Sequence, residues 1–326
     1  MATVKNLAFV PKEKLKDLTS FDDVEHPSFV FTPFPFNIIH CMLPLKLKFL
    51  KETYAASDNG KIYGLITLEK HDLEPKKLKI SQLFLKENSV KYGELLVNYV
   101  VNKYLAQGAE SFFAVLDEMD DKMLKLLTEV CKFRILGDEY LFRIKKSDFS
   151  YEKNSSYDFI RFAKAQEAPA IADLYNGLIN SHQYPSFAVS EKCFKDNIFV
   201  GIKNRVLFRY VLENTETGKI FGYFSISTAN NSDYILNAAI LQSYEAYLAD
   251  ILKFARHEIS KRSPSWALYI KIKNCFSNYR ALLDVMKSYD FTPCKKSKIL
   301  TRDLYRTIKA DNPLYDKQII FNAPAY

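Results

Sequence analysis

The chain repeats itself once, and that repetition constrains its fold more than any other feature. Gly60-Lys61-Ile62-Tyr63-Gly64 returns as Gly218-Lys219-Ile220-Phe221-Gly222, an offset of 158 residues. Each copy reads as a turn leading into an apolar strand, Leu65–Leu68 in the first and Tyr223–Ile226 in the second. At the same offset Phe133, in Cys131-Lys132-Phe133, meets Phe291, in Tyr289-Asp290-Phe291, each just after a run with helical spacing. One offset held across about 70 intervening residues predicts a duplicated unit of roughly 150 residues, an ordinary domain size.

Hydrophobic periodicity fills in the units. In the first, Asn6–Val10 reads as a strand and Lys12–Leu18 as amphipathic. His26–Pro35 reads as an extended connection, and Asn37–Leu50 as helical but interrupted by Pro44. Lys61–Glu69 and Lys77–Leu85 are predicted strands. A helix comes next over Val90–Leu105 behind Ser89 as N-cap, then strand Ser111–Leu116, helix Asp121–Cys131 and strand Tyr140–Ile144. The polar stretch Ser147–Ser156 separates a domain over residues 1–148 from a second over 157–308, with 309–326 as a surface tail. In the second unit the strands are Phe159–Phe162, Val206–Glu213, Lys219–Thr228, Tyr234–Leu241, Trp266–Lys273 and Lys298–Asp303. Its helices are Glu167–Ile179, Ser243–Lys261 and Tyr279–Tyr289, the first with Pro169 in its opening turn.

Composition restricts the classes of function. With 48% hydrophobic and 26% charged residues, the chain can bury two cores. No apolar run approaches the roughly 20 residues of a membrane span. The opening Met1-Ala2-Thr3-Val4-Lys5-Asn6 lacks the features of a secretory signal, so a cytoplasmic protein without a membrane partner is expected. Cys41, Cys131, Cys193, Cys275 and Cys294 are odd in number and form no C-x-x-C pair, which suits reduced thiols. His26, His40, His71, His182 and His257 show no paired spacing, so no metal site is expected.

Charge is unevenly divided. Residues 1–150 hold 22 Lys and Arg against 21 Asp and Glu, and the remainder 24 against 17, so the second half carries seven of the eight net positive charges. Lys295-Lys296-Ser297-Lys298 is the densest run. It reads either as attraction to an anionic partner or, more commonly, as a solvated face beside a turn. Lys271-Ile272-Lys273, flanked by Tyr269 and Phe276, is the nearest approach to a basic and aromatic strand face that could bind nucleic acid.

The order of elements in each half resembles the GCN5-related N-acetyltransferase (GNAT) family, and the whole resembles a tandem member. Asp158–Tyr175 is similar to that family's opening strand and first helix. Lys132-Phe133 and Asp290-Phe291 stand where the family ends a helix with Gly-Phe. The resemblance implies an α/β (α+β) chain of two tandem domains, each a mixed, mostly antiparallel sheet flanked by helices. It also implies acetyl-CoA or another acyl-CoA as co-substrate. Pantetheine would pair with the strand before the long helix, and the pyrophosphate would meet the helix N-terminus.

The family's phosphate loop, Gln/Arg-x-x-Gly-x-Gly/Ala, corresponds to Asn88-Ser89-Val90-Lys91-Tyr92-Gly93 in the first half. The implied cofactor contacts are Leu83, Phe84, Leu85, Asn88, Ser89, Val90, Lys91, Tyr92, Gly93 and Glu94. Gly93→Glu is then expected to abolish binding without unfolding the chain. The second half matches less well. Tyr244-Glu245-Ala246-Tyr247-Leu248-Ala249 keeps only the small Ala249.

The place of the family's thiolate-protonating tyrosine falls on Thr128 and Met286. Asp117, Glu118 and Tyr279 are the candidate catalytic groups and Asn274 and Asn278 the candidate substrate contacts, set against strand-end solvation and helix capping. Three functions stay open. The first is an acyl-CoA-dependent N-acyltransferase, foremost an N-acetyltransferase, acting on a small-molecule or protein amine. The second resembles the tandem transferases that use aminoacyl-tRNA, the one route by which nucleic acid would be a partner. The third is a non-catalytic binding or scaffold protein on a degenerate GNAT fold. The acceptor and the oligomeric state are not encoded in any motif found.

Overall fold

The structure, a computed structural model, describes residues 2–6, 52–70, 76–86, 89–148, 157–179, 187–195, 205–228 and 231–304. The expected elements over Lys12–Leu18, His26–Pro35 and Asn37–Leu50, and the tail from Lys309, lie outside these residues.

The first half contains β1 (Thr3–Asn6), β2 (Glu52–Asp58), β3 (Lys61–Lys70), β4 (Lys77–Leu85), α1 (Val90–Leu105), β5 (Ser111–Asp117), α2 (Asp121–Lys125) and β6 (Arg134–Lys145). A π-turn, Leu126–Val130, continues α2. The second half contains β7 (Ile160–Phe162), α3 (Ala168–Leu178), β8 (Arg205–Glu213), β9 (Ile220–Thr228), β10 (Asp233–Ile240), α4 (Leu248–Ser260), β11 (Ala267–Lys273), α5 (Tyr279–Ser288) and β12 (Pro293–Asp303).

The twelve strands of the described residues form one sheet, ordered β1-β2-β3-β4-β5-β12-β6-β11-β10-β9-β8-β7. The two halves exchange their last strands at its centre. β12 pairs antiparallel with β5 from Ser297↔Asp117 to Asp303↔Ser111, and β6 pairs antiparallel with β11 from Ala267↔Lys145 to Lys273↔Glu139. β12 and β6 then pair with each other. The cores record the same exchange. Leu300 of β12 is buried with Phe112, Leu96 and Leu127 of the first half, while Phe142 and Ile144 of β6 are buried with Ile251, Leu268 and Met286 of the second.

The repeated motif has a local structural purpose. Gly60 (φ 80°) and Gly218 (φ 68°) supply the left-handed turns that a residue with a side chain rarely adopts. Three residues on, Tyr63 and Phe221 are skipped in the pairing with β2 and β8 and form matching bulges. Each bulge carbonyl accepts the N–H of the residue that leaves the next strand on its way to the long helix. The pairs are Lys86 N to Tyr63 O at 3.0 Å and Leu241 N to Phe221 O at 2.8 Å. Each bulged ring is also stacked, Tyr63 on Tyr92 at 4.5 Å and Phe221 on Tyr244 at 4.5 Å. The motif therefore fixes where the chain enters α1 and α4. The second matched pair is equally local. Lys132 and Asp290 both sit at φ 58°, the left-handed helix stop usually given to glycine, and they seat Phe133 and Phe291.

Candidate functional site

Among the described residues each half has one pair of parallel strands that begin together and part, and those of the first half leave the space between them less filled. There, β4 and β5 are laddered only from Lys77↔Ser111 to Ile80↔Ala114. The cause lies one residue further along β4. Thr67 faces Gln82 and Leu68 faces Ile80, so Ser81 is an extra, bulged residue, with its hydroxyl donating to the Thr67 carbonyl at 3.3 Å. A bulge bends its strand and re-aims the side chains beyond it. After Ser81, Leu83 and Leu85 turn to the helical core, and by alternation Phe84 turns to the opposite face. Ser81–Leu85 and Val115–Asp117 then flank a wedge whose apolar walls stay half-buried, with Val115 36% exposed.

In the second half β10 and β11 are laddered from Asp233↔Ala267 to Leu236↔Ile270. Here β10 keeps unbroken register with β9, so it carries no bulge. Ala239, Ile240 and Ile272 are buried, and the buried Asn278 donates from Nδ2 to the Ile240 carbonyl at 2.7 Å. This wedge is filled by the protein itself.

The helix starts differ in the same sense. α1 begins four residues after β4, with no acidic residue in its first turn and with Val90 and Lys91 exposed. The first N–H groups of a helix have no intrahelical acceptor and favour an anion. α4 is preceded by a tight turn over Glu245–Tyr247 and carries Asp250 in its first turn, so two carboxylates oppose an anion there. Tyr244 and Tyr247 pack on Phe221 in the space of that loop.

The expected cofactor residues divide into three groups. Leu83, Phe84 and Leu85 line the wedge, and Val90 and Lys91 form the exposed opening turn. Ser89 is buried and its carbonyl accepts the N–H groups of Tyr92 and Gly93 at 2.9 and 3.3 Å, while its side chain makes no capping bond. Tyr92 is buried and its phenol donates to Asp58 Oδ2 at 3.2 Å. Burial and that carboxylate push its pKa above the ordinary range. Glu94 is exposed, and Asn88 lies outside the described residues.

Gly93 corrects the expectation of a clean binding variant. It is buried, and a Cβ there would lie 2.6 Å from Leu126 Cδ2 and 2.7 Å from Leu85 Cδ1. It is small so that α1 can approach β4 and the π-turn.

The candidate catalytic and substrate residues each have a partner within the protein. Asp117 pairs with Lys295 at 3.2 Å and Glu118 with Lys296 at 2.9 Å. Lys298 pairs with Asp138 at 2.6 Å, so every lysine of the basic run on β12 meets a carboxylate on a neighbouring stretch of chain. Tyr279 packs between two cores, and its hydroxyl accepts from Arg280 Nε at 3.1 Å. Asn274 accepts the Asp138 N–H at 2.9 Å and so joins the halves. Thr128 donates to the Leu124 carbonyl at 2.8 Å, and Met286 is fully buried. Cys131 and Cys275 are buried free thiols pushed up to about 12 and about 11 by that burial. Ser81, which sequence periodicity passes over, is the residue that opens the wedge.

No protein-family model matches the chain, and no curated protein is significantly similar to it. Solved structures are. A tandem GNAT protein from the clavulanic acid biosynthesis pathway, solved without acetyl-CoA, superposes with a TM-score of 0.56 at 12% identity, covering 94% of this chain and 100% of that one. A GCN5-related N-acetyltransferase from Sphaerobacter thermophilus superposes with a TM-score of 0.52 at 10% identity, covering 78% of this chain and 82% of that one. The chain thus has the tandem GNAT fold. Among the described residues no helix is long and apolar enough to cross a membrane.

Proposed function

We propose that the chain is an acyl-CoA-dependent N-acyltransferase that works through its first half, with acetyl-CoA as the donor to test first. The observation that carries this reading is the Ser81 bulge, with the ladder to β5 ending beside it. The diverging end of β4 would pair with the pantetheine amides, and the opening turn of α1 with Lys91 would hold the pyrophosphate. The acceptor nitrogen would attack the thioester carbonyl directly. The C–S bond breaks, the amide forms, and the proton lost by the amine ends on the CoA thiol. The second half serves as scaffold and as a wall of the acceptor side. The reading carries with it a cytoplasmic protein.

A second reading, binding without turnover, is favoured by the ion pairs of Asp117 and Glu118 and by the absence of an acid at Thr128. The pairing of the three β12 lysines reduces the support that charge gives to a tRNA-dependent transferase.

Calorimetric titration with acetyl-CoA and CoA tests the first reading. Micromolar binding is expected, weakened about tenfold or more in Lys91→Glu, because reversing a charge beside a pyrophosphate turns attraction into repulsion. Lys91 is exposed, so that variant should melt with the wild type. Binding unchanged in Lys91→Glu would move the donor site elsewhere. Tight binding without acyl transfer to any amine would select the second reading.

A further inference from the structure

The large hydrophobic side chains that the fold leaves exposed are not evenly scattered. Eight are exposed among the described residues, and three of these stand where β4 and β5 end. They are Val90 (52% exposed) at the start of α1, Val115 on β5, and Met119 (85% exposed) two residues beyond β5. Single exposed apolar residues are ordinary, but several together at a cleft mark a binding surface. The turn that carries Met119 is tied down. Its N–H donates to Asp117 Oδ1 at 3.0 Å, and the Asp120 N–H donates to the Asp117 carbonyl at 3.1 Å. The Glu118 N–H donates to the Lys296 carbonyl of β12 at 3.2 Å. The thioether is thus presented to solvent from a fixed turn.

The wall of the wedge that leads to Met119 is apolar as well. Val115 lies opposite Ile299 of β12, and Ile299 is buried with Phe113 of β5 and Phe187. Phe113 and Val115 share a face of the sheet by alternation, and Phe84 of β4 turns to that same face across the wedge. The ionic groups at the end of β5 are matched. Asp117 Oδ2 meets Lys295 at 3.2 Å, and Glu118 meets Lys296 at 2.9 Å. A ligand carrying many charges gains little from such a wall, whereas an apolar one gains by covering Val115 and Met119. Methionine, unbranched and polarizable, adapts its shape to what covers it.

We propose that the mouth of the wedge takes an acceptor whose amine is borne on an apolar body, an aryl- or alkylamine rather than a polyamine, an amino sugar or an amino acid. This rests on the reading of the first half as an acyltransferase. The donor enters along β4 and the start of α1, and the acceptor on the β5 side, where Val115 and Met119 set its specificity. The same wall assists the reaction. An apolar surrounding disfavours the ammonium form, so the amine releases its proton to solvent as it enters and meets the thioester neutral, the form that can attack.

The test is a chemical-shift titration of the full chain carrying ¹³C-methyl methionine, read at the Met119 signal, which Met119→Gln assigns. The probes are n-butylamine, n-hexylamine and 2-phenylethylamine, with 1,4-diaminobutane and ethanolamine as the charged and polar controls. Affinity is expected to rise about tenfold from butylamine to hexylamine, since each methylene buried contributes about fourfold. Diaminobutane and ethanolamine should bind at least about tenfold more weakly than hexylamine. The signal of Met286, fully buried in the second core, should stay in place, which separates binding at the mouth from a general loosening of the chain. Val115→Thr keeps the branched shape of a strand residue and should fold as the wild type does, yet bind hexylamine about fivefold more weakly. Equal affinity along the series, tighter binding of the diamine, or unchanged affinity in Val115→Thr overturns the proposal. Should that variant not fold, the dependence on chain length in the wild type decides alone. Acetyl-CoA titrated into the same sample keeps the two readings apart. Acetyl-CoA binding without a dependence on chain length would overturn this proposal and leave the donor site standing. The dependence without acetyl-CoA binding would overturn the acyltransferase reading and, with it, the acceptor role.

Discussion

Residues 1–156 expressed without the rest of the chain are expected to aggregate or stay unfolded. In the intact sheet β12 lies between β5 and β6, so its removal bares the Ser111–Asp117 edge of β5 and one edge of β6. Long apolar edges of that kind pair with other chains. The first core also loses Leu300, and Phe142 and Ile144 of β6 lose the helices that bury them. Each such loss costs about 2–5 kcal/mol on the scale of large-to-small core substitutions, against a total stability of about 5–15 kcal/mol. The second half alone loses β6 from beside β11 and fares no better. Co-expressed, the two pieces should form a one-to-one complex that elutes and melts like the intact chain. Gel filtration with circular dichroism checks this. A monomeric, cooperatively melting first half would show that the exchange of strands is dispensable.

The duplication was legible because it is written in local signals: left-handed turns, bulged aromatics and helix stops that recur at one offset. The exchange of strands was not, because it is written in long-range charge pairs. β6 is predicted to begin only at Tyr140, because Arg134, Asp138 and Glu139 break the apolar pattern of a strand. In the fold Arg134 meets Asp303, Asp138 meets Lys298 and Glu139 meets Lys271, each across the junction of the halves. β12 is likewise predicted to begin at Lys298, because Lys295 and Lys296 read as a solvated turn until Asp117 and Glu118 are placed beside them. β2 has no sequence expectation at all. Its Tyr54, Ala55 and Ala56 are all buried, a strand covered on both faces, and alanine is a weak strand former.

The site was half legible for a related reason. The match Asn88–Gly93 could be located by its place where the helix opens, but Ser81 opens the wedge through register. The offset between halves is 156 at Ile80 and Leu236 and 155 at Leu85 and Ile240, one residue lost to the bulge. That difference has meaning only once both strands are paired. The competing signal, Gly93, is a packing glycine that happens to occupy a motif position.

Gly93→Glu is accordingly expected to destabilise the chain severely. Even a methyl group at that position would overlap the tips of Leu126 and Leu85. Those tips can shift, so Gly93→Ala should cost about 1–3 kcal/mol, the usual range for overpacking. A glutamate adds a carboxylate among the apolar side chains of Leu85 and Leu126, and an unpaired buried charge costs several kcal/mol more. The sum approaches the whole stability of an ordinary domain. Thermal unfolding followed by circular dichroism should therefore show Gly93→Glu melting far below the wild type, or not folding, while Lys91→Glu melts with it. If Gly93→Glu melts within a few degrees of the wild type, α1 does not pack closely against Leu85 and Leu126. Loss of acetyl-CoA binding in that variant would then be evidence about the phosphate site. Otherwise the binding measurement belongs to Lys91, two residues earlier and one face of the helix away, where charge can be changed without touching the core.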